Sequence, residues 1–368
     1  MTTVLHVISG LGTGGAETTL VNLACALQQR SLPQHVVSLS GEVSYGEELK
    51  RCGIALHSLR LHRAHQMPSR LVMLSRLIRR LRPQLIQGWM YHGNLMAAAC
   101  HRWTAGRSSR RLLWNLRASN MDSDRYARVI RWGAALSRWP DVVIANSEAG
   151  AQFHASQGYQ PRVAKVIANG IDTQRFKPDA VARSSLRAEL GIPDDAVVVA
   201  HVARVDAMKD HATCLAAMTA IPDVVGVLAG AGTEELQTPP NVRALGVRRD
   251  VERLYAMSDV VLSTSAFGEG FSNAIAEGMS CGLVPISTDI GDARLIVGDT
   301  GHVAVPKDPK AVAAAIAEVT ALSSSDRVAR GLRARARVME RFSLERAVDT
   351  YDALYRSLAA EAGRRAAT

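Results

Sequence analysis

The stretch "VLHVISGLGTGGAETTLVNLACALQQRSLPQHVVSLS", Val4 to Ser40, sets the terms for reading the rest of the chain. "VLHVIS" is an apolar, β-branched run and reads as a buried strand; Gly10-Leu11-Gly12-Thr13-Gly14-Gly15 then breaks it. Residues 16 to 29 carry apolar side chains at helical spacing, and "HVVSLS" is a second strand. Strand, helix and strand in this order make a βαβ unit, which belongs to a parallel sheet. The glycines also match G-x-G-x-x-G, but a dinucleotide fingerprint needs an acid at the end of the second strand to accept from ribose hydroxyls. Here that strand ends in Leu39 and Ser40, and the nearest carboxylate, Glu42, lies beyond Gly41. The incomplete fingerprint argues against hydride transfer. What remains is a loop without side chains and a helix start at Ala16 whose N–H groups can meet an anion or a substrate; a tight strand-to-helix turn accounts equally for the glycines.

The same alternation continues outward. "LIQGW", "RLLWNLR" and "DVVIANS" read as further strands of the first half, with a helix over residues 68 to 81. "AVVVAHVAR", "VVGVLAG", "VRALG", "VVLSTS" and "LVPIST" repeat the scheme in the second half, with helices over 211 to 220 and 250 to 257. A chain of 368 residues is long for one core. The expectation is therefore two Rossmann-like, doubly wound α/β domains in tandem, joined within "NGIDTQRFKPDAVARSS". After residue 325 the pattern is helical with no further strand, and closes the second domain or crosses back to the first.

Composition narrows the class. Apolar residues make up 47% of the chain with no uninterrupted run of about 18, and the start shows no secretory pattern, so a soluble protein is expected. Cys25, Cys52, Cys100, Cys214 and Cys281 are odd in number and lack C-x-x-C spacing, which argues against a disulfide framework or zinc site and favours a reducing, cytoplasmic setting. The net charge of +10 is uneven: residues 1 to 170 carry +13 and residues 171 to 368 carry −3. Such a first half suits an anionic partner, or serves solubility alone.

The second half holds the denser chemistry. Arg204 ends the strand "VVVAHVAR" and Lys209 follows in "ARVDAMKDH". Cations at the carboxyl end of a parallel strand sit where open α/β sheets take ligands, and a guanidinium with an ammonium suits a diphosphate; ordinary charges on a solvated loop are the alternative. In "FGEGFSNAIAEGMSCGLVPIST", Glu269 precedes a helix and Glu277 lies one turn inside it, while Phe271, Ser272 and Asn273 expose first-turn N–H donors as an anion seat. Two carboxylates beside an anion seat fit a ligand with hydroxylated rings. An acid/base pair for glycoside hydrolysis would leave Arg204 and Lys209 idle.

Arg204 with Lys209, the E-x7-E from Glu269 to Glu277, "IANGIDTQRFKP", "LVPISTDIGDARLIVGDTGHVAVPKDP" and the early "GGAE" together resemble the GT-B glycosyltransferases of family 4, in order along nearly the whole chain. The resemblance implies a 1–170 acceptor-binding domain, a 171–345 nucleotide-sugar domain facing it across a cleft, and a 346–368 helix returning toward the first. It implies retaining transfer of a sugar from a nucleotide-diphosphate sugar to a hydroxyl acceptor. By the same resemblance Arg204 and Lys209 hold the pyrophosphate, Glu277 the ribose and Glu269 the transferred sugar. Gly270, Phe271, Ser272 and Asn273 complete the donor cradle, and Gly246, Val247 and Arg248 seat the base. Gly14 and Gly15 approach the donor phosphate or the acceptor, and His92 matches a His near the reactive face of the sugar. Three departures stand out: Ala203 and Asp210 where glycine is usual, and "IGDAR" in place of a glycine run ending in Glu.

Electrostatic stabilisation of a departing diphosphate needs binders rather than a strong base, so no metal and no cofactor are expected. The only D-x-D, "DSD" at Asp122 and Asp124, opens a helical run and reads as helix-start acids. Residues 68 to 82, "PSRLVMLSRLIRRLRP" from Pro68, put leucines on one face and arginines elsewhere; this suits an interfacial helix on anionic lipid or a core helix with a wet face. A second basic run, "GRSSRR", lies at 106 to 111, and a peripheral place on the cytoplasmic membrane face with a lipid-linked or glycan-precursor acceptor follows as an expectation. The five tryptophans form no stacking module, which argues against nucleic acid. Two other classes remain open: a sugar-nucleotide epimerase of the same architecture and a catalytically silent, membrane-associated partner subunit.

Overall fold

The computed structural model describes residues 2–12, 14–41, 43–104, 110–119 and 123–367. The chain divides into unit 1, Met1–Gly170 with Leu344–Thr368, and unit 2, Ile171–Ser343.

In unit 1, β1 (Val4–Ile8), α1 (Gly15–Gln29), β2 (Gln34–Ser38), α2 (Gly46–Arg51), β3 (Ala55–Ser58) and α3 (Met67–Leu81) come first. They are followed by β4 (Leu85–Trp89), α4 (Met90–Thr104), β5 (Arg111–Leu116), α5 (Ser123–Leu136), β6 (Val142–Ala145), α6 (Glu148–Ser156) and β7 (Ala164–Val166). The seven strands pair in parallel in the order β3-β2-β1-β4-β5-β6-β7. β1, β4, β5 and β6 are buried at every position, as a sheet covered on both faces requires. β3 and β7, short and partly polar, carry too little apolar signal to be read from sequence.

Unit 2 contains α7 (Ala180–Glu189), β8 (Val198–Val202), α8 (His211–Thr219), β9 (Val225–Ala229), β10 (Val242–Ala244) and α9 (Val251–Ala256). It continues with β11 (Val260–Ser263), α10 (Asn273–Ser280), β12 (Val284–Thr288), α11 (Ala293–Val297), β13 (His302–Ala304), α12 (Pro309–Thr320) and α13 (Ser324–Arg341). Its parallel sheet runs β10-β9-β8-β11-β12-β13, a doubly wound order in which the winding reverses between β8 and β11. Both units thus have the α/β architecture expected, with β13 the strand missed there.

The last helix, α14 (Leu344–Ala367), belongs to unit 1. Its Val348, Tyr351, Tyr355 and Leu358 are buried with Val4, Ile8, Leu20 and Trp89. The sheet face beneath it is polar. Tyr355 donates to Gln87 Oε1, and Asn115 Nδ2 donates to the Tyr351 oxygen at 2.8 Å. Trp89 Nε1 donates to His6 Nδ1 at 3.0 Å, so that nitrogen is an acceptor and the proton of neutral His6 sits on Nε2, which donates to Gln34 Oε1 at 2.7 Å. Burial pulls the His6 pKa down to about 4, which keeps this arrangement neutral.

Two expectations are corrected. Cys25 of α1 and Cys52 at the end of α2 form a disulfide, with Cα atoms 5.5 Å apart, because the two helices pack side by side; the argument from cysteine usage to a reducing setting therefore lapses. Leu74, Leu77 and Ile78 of α3 lie in the unit 1 core with Leu71 and Leu81 packed against it, so this apolar stripe meets protein and not lipid. No helix among the described residues is long and apolar enough to cross a membrane. Asp122, the side chain of Asp124 and residues 106–109 lie outside the described residues.

Candidate functional site

Doubly wound sheets take ligands at the carboxyl ends of the strands, in the crevice where the winding reverses. In unit 2 the two loops flanking that point are β8–α8 and β11–α10, and backbone and side chains stitch them together. Ala266 N–H donates to Met208 O at 2.8 Å, and Thr264 Oγ1 donates to the carbonyls of Lys209 and Asp210 at 3.0 Å each. Lys209 and Glu269, 60 residues apart, form an ion pair there, their side chains 18% and 13% exposed. Ser265 Oγ donates to the same Glu269 oxygen at 3.1 Å. Arg204 lies on the first of these loops, more exposed, its guanidinium on Asp206 at 3.1 Å.

The turn into α8 explains one departure. Asp210 has φ 48°, a left-handed conformation for which glycine is the usual choice. Asp tolerates it because its carboxylate caps the helix, accepting from Thr213 N–H at 3.2 Å and Thr213 Oγ1 at 2.6 Å. The "IGDAR" segment has a bracing role. Gly291, with φ 62°, passes so close to the β11–α10 loop that a Cβ would come within 2.4 Å of the Gly270 carbonyl, and Asp292 N–H donates to that carbonyl at 2.9 Å.

α10 begins beyond this braced loop. Ser272 stands at its N-cap without a capping bond from its own hydroxyl, so the first-turn N–H groups are not satisfied by that side chain. Phe271 and Ser272 are buried, while Asn273 is partly exposed. Glu277, one turn in, is partly exposed at the edge of a charged group that sequence reading missed. Desolvation pushes its carboxyl up to about 8; Arg175 draws it down and Glu252 pushes it further up. Arg175 and Glu252 pair with each other at 2.9 Å. Beyond β10, Gly246 has φ 65°, donates to Thr233 Oγ1 at 3.1 Å and accepts from Gly230 N–H at 2.8 Å. Val247 is 64% exposed, and Arg248 is held by Asp250 at 2.7 Å, so this turn presents main chain rather than a loose guanidinium.

In unit 1 the winding reverses between β1 and β4. Gly14 and Gly15 lie at the head of α1 after β1, and His92 on the first turn of α4 after β4. Gly14 is extended, and a Cβ there would come within 2.5 Å of the Glu17 carboxylate. Met90 has φ 60°, the sharp turn that starts α4, and a Cβ at Gly93 would come within 2.4 Å of Val7 O. His92 is exposed, and partial desolvation lowers its pKa. Arg117, which the sequence reading took only as a strand end, follows β5 at the same edge. It stacks 4.5 Å from the Trp89 ring centroid and donates to Asn169 Oδ1, with Glu17 near enough to favour its charge. Among the described residues no three His, Cys, Asp or Glu side chains gather as metal ligands.

Comparison with known proteins agrees with this layout. Residues 13–175 match the model described as Glycosyltransferase Family 4, and residues 196–321 match Glycosyl transferases group 1. A D-inositol 3-phosphate glycosyltransferase of Geodermatophilus obscurus is 30% identical over 261 residues, covering 64% of this chain and 56% of that protein. An N-acetyl-alpha-D-glucosaminyl L-malate synthase of Bacillus anthracis is 29% identical over 208 residues, covering 52% and 53%. The chain thus spans about half the length of the curated relatives it matches. The crystal structure of Anabaena Alr3699/HepE in complex with UDP-glucose superposes with a TM-score of 0.85 at 21% identity, over 97% of this chain and 100% of that one. Two family models in sequence order, over two doubly wound sheets, place the chain among the GT-B glycosyltransferases of family 4.

Proposed function

We propose that the chain transfers a glycosyl group, with retention, from a nucleotide-diphosphate sugar held by unit 2 to a hydroxyl acceptor. The observation that carries this reading is the Lys209–Glu269 pair, with Arg204 beside it and the N-terminus of α10 next to it, at the point where the unit 2 sheet reverses its winding. Departure of a nucleoside diphosphate builds charge on its β-phosphate. Fixed cations and helix N–H groups lower the barrier by meeting that charge where it develops. Arg204 and Lys209 take the pyrophosphate, Glu277 accepts from the ribose diol, and the exposed turn at Gly246, Val247 and Arg248 faces the base. Glu269 meets the hydroxyls of the transferred sugar. The acceptor proton passes to the departing phosphate oxygen, and neither a metal nor a cofactor is needed; transfer is expected to persist in a chelator. A UDP-glucose complex of the Anabaena protein makes UDP sugars the first donors to try.

For the acceptor, the relatives' names carry an inositol phosphate and a malate, both anionic. The first 170 residues carry +13, which favours an anionic acceptor, and the acceptor we infer is a lipid-linked or glycan precursor in cell-envelope synthesis, taken at the inner membrane surface. Gly14, Gly15 and His92 mark the edge of unit 1 offered to substrate.

The test is a panel of nucleotide sugars screened by thermal shift, since a ligand that binds the native state raises apparent stability. The expected result is a shift with one sugar nucleotide, followed by release of its diphosphate on addition of acceptor. No shift with any member at high concentration overturns the reading; an isomerised sugar nucleotide formed without acceptor replaces it with an epimerase.

A further inference from the structure

The α3 stripe is consumed by the core, yet the outer face of the helical layer to which α3 belongs is built unlike an ordinary wet surface. α3 packs on α4, and α4 on α5. α3 and α4 carry Arg70, Arg76, Arg79, Arg80 and Arg102 and no acidic residue. Of the five tryptophans, Trp89 and Trp114 are fully buried, whereas Trp103, Trp132 and Trp139 are 56%, 64% and 46% exposed, all three on or just after α4 and α5. Arg102, in the last turn of α4 and next to Trp103 in sequence, lies 5.9 Å from the Trp139 ring centroid, so the end of α4 meets the segment that follows α5. On α5, Arg128, Arg131 and Trp132 share one exposed stripe at i, i+3 and i+4. Asp141, two residues after Trp139, is paired with Arg111 at 2.7 Å.

We propose that this Trp–Arg face, centred on Trp103, Trp132 and Trp139 with Arg102 and Arg131, docks unit 1 on an anionic phospholipid surface. An indole has an apolar body and one N–H donor, and settles at the headgroup level of a bilayer; leaving three of them in water forfeits that burial. Arginines interleaved with them meet lipid phosphates while their stems lie along the apolar boundary. The arginines of α3, α4 and α5 supply the long-range attraction, and the indoles supply the insertion. The exposed stripe of α4 runs from His92 through Ala99 to Trp103, so a bilayer lying along this face reaches from the tryptophans to the end of unit 1 that carries His92. The surface deepens the reading of a membrane-borne acceptor and rests on it, but its occupancy is measurable without turnover.

The test uses the full chain with vesicles of phosphatidylcholine, with and without phosphatidylglycerol, read by co-sedimentation and by tryptophan emission. The expected result is binding that needs the anionic lipid, weakens with salt and blue-shifts the emission. Arg131→Gln lowers the partition coefficient about fivefold, the value of one basic residue near an anionic surface. Trp132→Ala reduces both binding and blue shift while leaving the nucleotide-induced thermal shift unchanged, which separates failure of this surface from failure of the transferase reading. Absence of binding, equal binding to pure phosphatidylcholine, or indifference to both substitutions overturns the proposal. Tighter retention of duplex RNA or DNA than of vesicles overturns it as well, in favour of a nucleic-acid surface.

Discussion

The two units share one topology and use polar groups in opposite places. Unit 2 concentrates them at the carboxyl edge of its sheet, where Lys209, Glu269, Arg204 and the start of α10 lie. Unit 1 buries them within the sheet face, as the chain from Gln34 through His6 to Trp89 and the pairs Gln87–Tyr355 and Asn115–Tyr351. Buried polar groups must be satisfied, and two of these seven, Tyr351 and Tyr355, arrive on α14. The difference separates two tasks within one architecture: unit 2 keeps chemistry on its loops, and unit 1 uses hydrogen bonds to fix which helix covers its sheet.

Ending the chain after Ser343 breaks this comparison most sharply. Val348, Tyr351, Tyr355 and Leu358 leave the unit 1 core. Each contributes roughly 1.5–3 kcal/mol on burial, a sum on the order of a whole domain's stability, and the polar face beneath them is left bare. The expected outcome is loss of the cooperative unfolding transition of unit 1, with nucleotide binding by unit 2 retained. Two intact transitions in denaturant would mean that α14 is an accessory.

Substituting Lys209 by Ala probes the other unit. It removes the cation from the loop after β8 and with it the ion pair to Glu269. Loss of one fixed electrostatic contact to a developing charge lowers kcat by about 10²–10³-fold, with little change in the stability of either unit. Steady-state kinetics and a melting curve check both halves of that statement; a raised KM at unchanged kcat would make Lys209 a ground-state binder only.

How much of this was legible follows from the same contrast. The βαβ alternation and the strand-end loops are local, so the central strands and Arg204, Lys209, Glu269 and Glu277 could be found from spacing. Residues whose meaning comes from distant partners could not. Arg117 reads as the tail of "RLLWNLR" until Asn169 and Trp89 close on it, and Cys25 and Cys52 read as scattered until α1 and α2 pack together. β7, exposed at all three positions, exists only because β6 pairs with it. Residues 68 to 82 were ambiguous because an amphipathic pattern does not say what covers its apolar side; here it is α4 and the sheet.

The smallest expected effect concerns Glu277. Its carboxyl is desolvated to a pKa of about 8 among Arg175, Glu252, Tyr255 and Cys281, so below that pH the unliganded protein holds it mostly protonated. A ribose diol donates two hydrogen bonds and therefore selects the carboxylate. Binding must expel the proton, and the apparent Kd for a nucleotide sugar, whose diphosphate does not itself titrate here, rises by about tenfold for each pH unit below the pKa. Above it the affinity levels off. Glu277→Gln binds more weakly and loses the slope, because no proton remains to be released. Calorimetry in two buffers of different ionisation enthalpy reads the proton directly. An affinity independent of pH in the unaltered chain would show that Glu277 does not touch the ligand, and that unit 2, like unit 1, buries a polar group for its own fold.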